Sequence, residues 1–202
     1  TVKADLVSWA LSSIEAPVEK DYLGPVIMEP PAAAELFRQL LSSELSANPP
    51  IQEVPDFFGE TQVVIPSSRI GRRLFPPGWK VYDDPQQSES LPGFYHFDQQ
   101  GVIGQKVVLV EDGVVKDLLM SRIPRSEFDE STGHGRSLFG RRFTPMNSIT
   151  SVVPPKEYSF RKLKKQGLKM AEQAGLDYIL VVRKITPLSL NEDFEIAFSG
   201  DG

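Results

Sequence analysis

The sequence predicts an α+β fold: a twisted, largely antiparallel, barrel-like β-sheet with two or three packed helices. Three observations carry this. Strand-like apolar runs outnumber helical ones, and most follow one another with no helix between them. An Asp-Gly pair joins two of those runs, a strong signal for a tight antiparallel hairpin. Three other segments repeat apolar residues at helical spacing.

The elements follow in order. Ala4 to Ile14 reads as an amphipathic helix through Leu6, Ala10 and Ile14, and Ala16-Pro17 ends it. Gly24 to Met28 is a short buried strand. Pro30-Pro31 opens a second helix, because proline fits the first helical turn. Its expected apolar stripe is Ala33, Phe37, Leu40, Leu41 and Leu45, and Asn48-Pro49-Pro50 stops it. Residues 49 to 100 hold eight of the 17 prolines, so irregular structure is expected there, with short strands at Gln62 to Ile65 and Lys80 to Tyr82. Lys106 to Val110 and Val114 to Met120 flank the Asp112-Gly113 turn. Ser159 can cap a third helix reaching Ala174, with Leu163, Met170, Ala171 and Ala174 inward and Gly175 as C-cap glycine. Tyr178 to Ile185 is a strand, and Glu192 to Gly202 offers one more before a Gly/Asp tail.

Composition narrows the function. The 202 residues are 40% hydrophobic and 24% charged, ordinary values for a globular protein. They suit a single domain over 1–202, and the missing initial Met suggests that a natural N-terminal domain is absent from this chain. The net charge of −5 argues against a nucleic-acid surface. No apolar run approaches the roughly 20 residues that cross a bilayer, so no membrane partner is expected, and the expected location is cytoplasmic. There is no cysteine, which excludes disulfides and thiolate ligands. The two histidines are His96 and His134.

Few residues could carry chemistry. Ser131-Thr132-Gly133-His134-Gly135-Arg136 could cradle an anion, but it fits neither the P-loop nor the dinucleotide pattern. A solvated surface loop is the plainer reading, with His134 a solvated histidine rather than a general base. His96, between Tyr95 and Phe97, reads as a packed residue. Asp83, Asp84 and Asp98 could join around a cation, although Asp83-Asp84-Pro85 is also an ordinary turn opening, the favoured reading. Arg161, Lys162, Lys164, Lys165 and Lys169 form a solvated helix face.

Several segments together resemble the TldD/PmbA family, the modulators of DNA gyrase. They are Gly24 to Phe37, Trp79 to Pro85 (WKVYDDP), Phe97 to Val102 with Leu109 to Val114, Ser131 to Arg136, and Pro145 to Asn147. Each is weak alone, but they occur in the family's order. The resemblance implies the C-terminal domain of a zinc-dependent peptidase acting on unfolded or short peptides. It also implies a His-Glu-x-x-x-His stretch and a late cysteine as zinc ligands, with water in the open position. Here the matching stretch is Met28-Glu29-Pro30-Pro31-Ala32-Ala33. Only Glu29 survives, so no cofactor is expected and the resemblance points to the zinc-less TldE/PmbA side.

That implies a non-catalytic subunit, either a homodimer or a heterodimer with a zinc-bearing TldD-like subunit. Peptide would be held as an added strand near Glu29, Ser131, Thr132, Gly133, His134, Gly135 and Asn147. The alternative is a metal-independent hydrolase with Glu29 and His134 as bases and Ser131 or Thr132 as nucleophile.

Overall fold

The computed structural model describes residues 22–47, 52–55, 61–64, 69–123, 130–137 and 142–185. The chain forms two compact units, one of residues 1–39 and 157–202 and one of 40–156. The expected helix at Ala4 to Ile14 and the last strand lie outside the described residues.

In the first unit, β1 (Val26–Met28) pairs in parallel with β10 (Leu180–Val182), in the register Val26↔Leu180. The Glu29 amide extends the pairing by donating to the Val182 carbonyl at 2.9 Å. Helix α1 (Pro30–Glu44) starts at once, with its prolines where the first-turn amides need no partner. Of its expected stripe, Leu41 and Leu45 are buried, while Leu40 is exposed.

Helix α2 (Phe160–Gln173) has Ser159 at its N-cap in extended conformation, but the serine side chain makes no capping bond. Its C-terminus behaves as expected. Gly175 adopts φ 73°, its amide donates to the Glu172 carbonyl at 3.1 Å, and the Leu176 amide donates to Ala171 at 2.9 Å. The inward face needs correcting. Leu163 and Met170 are 38% and 57% exposed and Ala174 is exposed, whereas Gly167 and Ala171 are buried. The smallest residues face inward because the helix backbone comes close to strand side chains: a Cβ at Gly167 would stand 3.2 Å from Ile179 and 3.7 Å from Ile27.

The second unit holds an antiparallel four-stranded sheet in the order β6-β5-β4-β9. Its strands are β4 (Lys80–Asp83), β5 (Val107–Glu111), β6 (Val114–Val115) and β9 (Thr150–Val153). Two antiparallel pairs accompany it: β2 (Gln52–Pro55) with β3 (Thr61–Val64), and β7 (Gly135–Arg136) with β8 (Thr144–Pro145). The α+β class holds, with two helices among the described residues, but the expected barrel does not. Among the described residues the sheets are not joined into a closed ring. The described strands fall into four separate sheets, three of them two-stranded, so they offer no continuous ladder to close.

The β5–β6 hairpin forms as expected. Asp112 (φ 50°) and Gly113 (φ 75°) are both left-handed, as the two-residue turn requires. Strand β6 stops at Val115, earlier than expected, although the run continues into the core: Leu118, Leu119 and Met120 are nearly inaccessible, as are Leu45, Val81, Leu109, Val110 and Val115. No described helix is long and apolar enough to cross a membrane.

The turn gives the first prediction. A Cβ at Gly113 would lie 2.2 Å from the Phe75 carbonyl oxygen, whereas at Gly101 (φ 76°) it would meet nothing within 4 Å. Gly113→Ala is expected to cost about 2 kcal/mol or more, and Gly101→Ala only about 1 kcal/mol of backbone strain. Urea unfolding of both variants checks the difference.

Candidate functional site

Strand alternation puts Val81 and Asp83 on the same buried face of β4. A carboxylate there must be supplied with donors, because an unpaired buried charge is costly. The start of β9 supplies most of them. Thr150 stands opposite Asp83 in the ladder, and its hydroxyl donates to Oδ2 at 2.6 Å. The Ser148 amide donates to both carboxylate oxygens at 3.1 Å, and the Ser148 hydroxyl donates to Oδ1. His134 completes the set, with Nε2 3.1 Å from Oδ1. The carboxylate can only accept, so Nε2 carries the proton.

Asp83 and His134 have no solvent exposure. Burial raises the Asp83 carboxyl, but hydrogen bonds from His134, Ser148 and Thr150, with the attraction of the imidazole, outweigh it. The net shift is below the ordinary carboxylate value.

The other face of the imidazole is also occupied. Nδ1 lies 2.9 Å from the Thr132 hydroxyl and 3.0 Å from the Thr132 carbonyl. That hydroxyl accepts the Met120 amide at 2.8 Å. The Ser131 hydroxyl faces the Met120 carbonyl at 3.3 Å and accepts the Gly133 amide at 3.1 Å. The His134 amide donates to the Met120 carbonyl at 3.3 Å. The Tyr95 hydroxyl donates to the Gly133 carbonyl at 2.9 Å, and burial, with the charge of Asp83, pushes that phenol far above its ordinary value. Asp98 makes a second, smaller knot, accepting the amides of Gln100, Val102 and Gly135 at 2.8, 2.9 and 2.8 Å.

The glycines answer to crowding. Gly133 has φ 71°, and a Cβ there would sit 2.1 Å from the Ile103 carbonyl oxygen; at Gly135 it would sit 2.0 Å from Gln100 Oε1. Both amides are spent on side chains, so neither is turned toward a ligand.

The structure therefore brings Ser131, Thr132, Gly133, His134 and Gly135 together with Asn147, whose Nδ2 donates to Thr150 Oγ1 at 2.9 Å. Glu29 belongs to the other unit, with Arg183 Nε 3.9 Å from its carboxylate. Two expectations are corrected. The glycine loop is not solvated: Gly133, His134 and Gly135 are buried, because the loop threads between Met120, Ile103 and β8. Asp83 is not a turn residue. Asp84 alone makes the turn, accepting the Gln86 amide at 3.1 Å. His96 stacks edge-on against Phe94 at 4.9 Å but remains exposed. Ser148 and Thr150 were missed. The one signal for this cluster was a carboxylate on the apolar phase of a strand, two residues after Val81.

The order hydroxyl, imidazole, carboxylate through Thr132, His134 and Asp83 is that of an activated nucleophile. Its surroundings argue against that use. The imidazole and carboxylate have no exposed surface, and the Thr132 oxygen already receives a backbone amide.

The family model of the PmbA/TldA metallopeptidase C-terminal domain matches residues 20–198. This chain belongs to that family. A metalloprotease of Methanocaldococcus jannaschii is 30% identical over 133 residues, 63% of this chain and 29% of that protein. A metalloprotease of Archaeoglobus fulgidus is 32% identical over 95 residues, 47% of this chain and 22% of that protein. The chain thus spans less than a third of either relative. Among solved structures, a candidate modulator of a DNA gyrase from Thermotoga maritima superposes with a TM-score of 0.61 at 22% identity, covering 88% of this chain and 36% of that one. TldE from Thermococcus kodakarensis gives 0.53 at 20%, covering 84% and 34%. Both share the PmbA/TldD fold.

The name metallopeptidase implies a metal, and the residues present do not fit one. Met28 ends β1 and Ala33 lies in α1, at the two positions that the family resemblance gives to histidine. No cysteine exists in the chain, and no group of three His, Cys, Asp or Glu converges among the described residues. His134 has both ring nitrogens engaged.

Two outcomes follow for the buried pair. His134→Ala leaves the Asp83 carboxylate short of a donor and is expected to cost about 3–5 kcal/mol, read by denaturant unfolding. Because the folded carboxyl titrates below its unfolded value of 3.8, its contribution is complete above that value and is lost as pH falls through the folded one. Stability should therefore drop below about pH 4 in the native chain, and the drop should shrink in Asp83→Asn.

Proposed function

We propose that this domain is a zinc-free, non-catalytic member of a TldD/TldE-type peptidase assembly, helping a zinc-bearing subunit hold unfolded or short peptides. The observation that carries this reading is the replacement of the family's ligand residues by Met28 and Ala33 in a chain without cysteine. Relatives named metalloproteases support the peptidase setting. A paired assembly, with itself or with a TldD-like subunit, and a cytoplasmic setting are part of the proposal.

Within it, the candidate peptide-site residues divide by exposure. Ser131, Thr132 and Asn147 are half-buried and would be the ones to meet a ligand. Gly133, His134 and Gly135 are buried and would shape the surface beneath it. Glu29 is the candidate in the other unit, at its strand-to-helix junction.

The test is reconstitution with peptide substrate. Alone, the chain is expected to cleave nothing and to hold far less than one zinc per chain by elemental analysis. Mixed with a zinc-bearing TldD-type subunit, it should give or raise a peptidase activity that chelator abolishes. Chelator-resistant cleavage by the pure chain, lost in Thr132→Val, would support the metal-independent hydrolase instead.

A further inference from the structure

Helix α2 turns Gly167 and Ala171 inward and carries its charge on the opposite side. Arg161, Lys162, Lys164, Lys165 and Lys169 are all exposed, and Glu172 is the only acid in the helix. Five cations against one acid leave α2 at +4 in a chain of net charge −5, so the remainder of the chain is at −9. Residues four apart share a row on a helix surface, and Arg161, Lys165 and Lys169 make such a row, with Lys162 beside it. Like charges at this spacing repel and weaken the helix that carries them. The first turn holds no acid, so Arg161 and Lys162 also face the positive end of the helix dipole. Among the described residues, Arg161, Lys164, Lys165 and Lys169 have no ion-pair partner, and Lys162 lies over the Tyr158 ring at 4.7 Å.

Apolar side chains border the basic row. Leu168 is 43% exposed on one side, and Leu163 and Met170, seven residues apart, run along the other. These dimensions and borders select an occupant. The row from Arg161 to Lys169 covers about 12 Å, more than one small anion can span. A bilayer or a nucleic-acid duplex spreads its charge well beyond the roughly 10 Å over which exposed charges act at about 0.1 M salt, so it would also meet the negative remainder of the chain. A short acidic segment meets the helix alone, and apolar residues beside its carboxylates can cover Leu163, Leu168 and Met170.

We infer that the outer face of α2 docks a short acidic segment of a partner protein, one whose carboxylates pair with Arg161, Lys165 and Lys169 and whose apolar residues lie beside them. The bound carboxylates relieve the repulsion along the row, so the feature that weakens the lone helix becomes the attraction that holds the partner. The inference goes beyond the peptidase reading and needs neither zinc nor cleavage, so either can fail without the other.

The probe is a synthetic peptide with glutamates at every third and fourth residue and leucines beside them, titrated into the full chain by calorimetry. It should bind at least about tenfold more tightly than the same peptide with glutamine for glutamate, and the difference should shrink as salt is raised. Lys165 has like-charged neighbours at Arg161, Lys162 and Lys169, so Lys165→Glu should act in opposite directions on two readouts. It should weaken peptide binding at least about tenfold, yet raise the thermal midpoint of the chain alone by about a degree or more. Lys116→Glu makes the same charge change at an exposed site in the other unit, and should leave binding nearly unchanged. Met170→Ser should weaken binding a few-fold. The inference fails if the glutamate and glutamine peptides bind alike, or if Lys116→Glu matches Lys165→Glu. It also fails if Lys165→Glu lowers the midpoint of the chain alone, because the row is then part of the fold. Vesicles of phosphatidylserine and phosphatidylcholine, or a DNA duplex, that bind more tightly than the peptide and displace it would overturn the choice of a protein segment.

Discussion

A carboxylate on the inward face of a strand sets the terms for the second unit. Removing Asp83 from water costs several kcal/mol unless donors replace the lost hydration. The donors come from far along the chain: His134 is 51 residues away, and Ser148 and Thr150 are 65 and 67 away. Three segments that share no strand–turn connection must therefore arrive together. Once they do, little else is free. The Ser131–Gly135 loop is fixed by what His134 needs on its second nitrogen, and β9 is fixed by the residues that grip the carboxylate. A single methyl at Gly133 has no room because the loop then runs against the Ile103 carbonyl.

Much of the local structure was legible in the sequence, for reasons confined to a few adjacent residues. Asp112-Gly113 specifies its hairpin because both residues tolerate positive φ. Gly175 ends α2 for the same reason. Pro30-Pro31 marks the start of α1 from fixed φ and missing amides. The buried cluster was not legible in this way. Pairing between residues 51 to 67 positions apart leaves no periodicity, and a histidine between two glycines looks like a loop until the fold brings Met120 and Asp83 around it. Along α2, Ala171 is buried as expected, but apolar size is a poor guide to the rest of the face. Close backbone approach selects for the smallest residue instead, as at Gly167.

The same arrangement shows that protein groups alone can hold the second unit together. Structural zinc contributes directly to folding, so losing its ligands would unfold a domain built around it. Here the cohesion of the second unit comes from the Asp83 and Asp98 hydrogen bonds and the core of Leu45, Leu109, Leu118 and Leu119. Met28 and Ala33 lie in the first unit, where β1 pairs through its backbone with β10 and needs no particular side chain to do so. A change of side chain at those two positions therefore leaves the backbone pairing its own supports.

Four of the weak motifs behind the family resemblance also acquire a common physical meaning. Trp79 to Pro85 contributes Asp83; Ser131 to Arg136 contributes Thr132 and His134; Phe97 to Val102 contributes Asp98, which holds the Gly135 amide. The Pro145–Asn147 stretch leads into Ser148 and Thr150, and Asn147 itself donates to the Thr150 hydroxyl. Sequence separates these motifs by tens of residues, yet they meet at one buried carboxylate and its neighbour. Each is short because each supplies one or two donors or acceptors. They carry weight only in combination because a donor without its acceptor is a cost rather than a gain. A signature of this kind identifies the fold through the hydrogen bonds that the core requires, and it stands here with Met28 and Ala33 at the positions the resemblance gives to histidine.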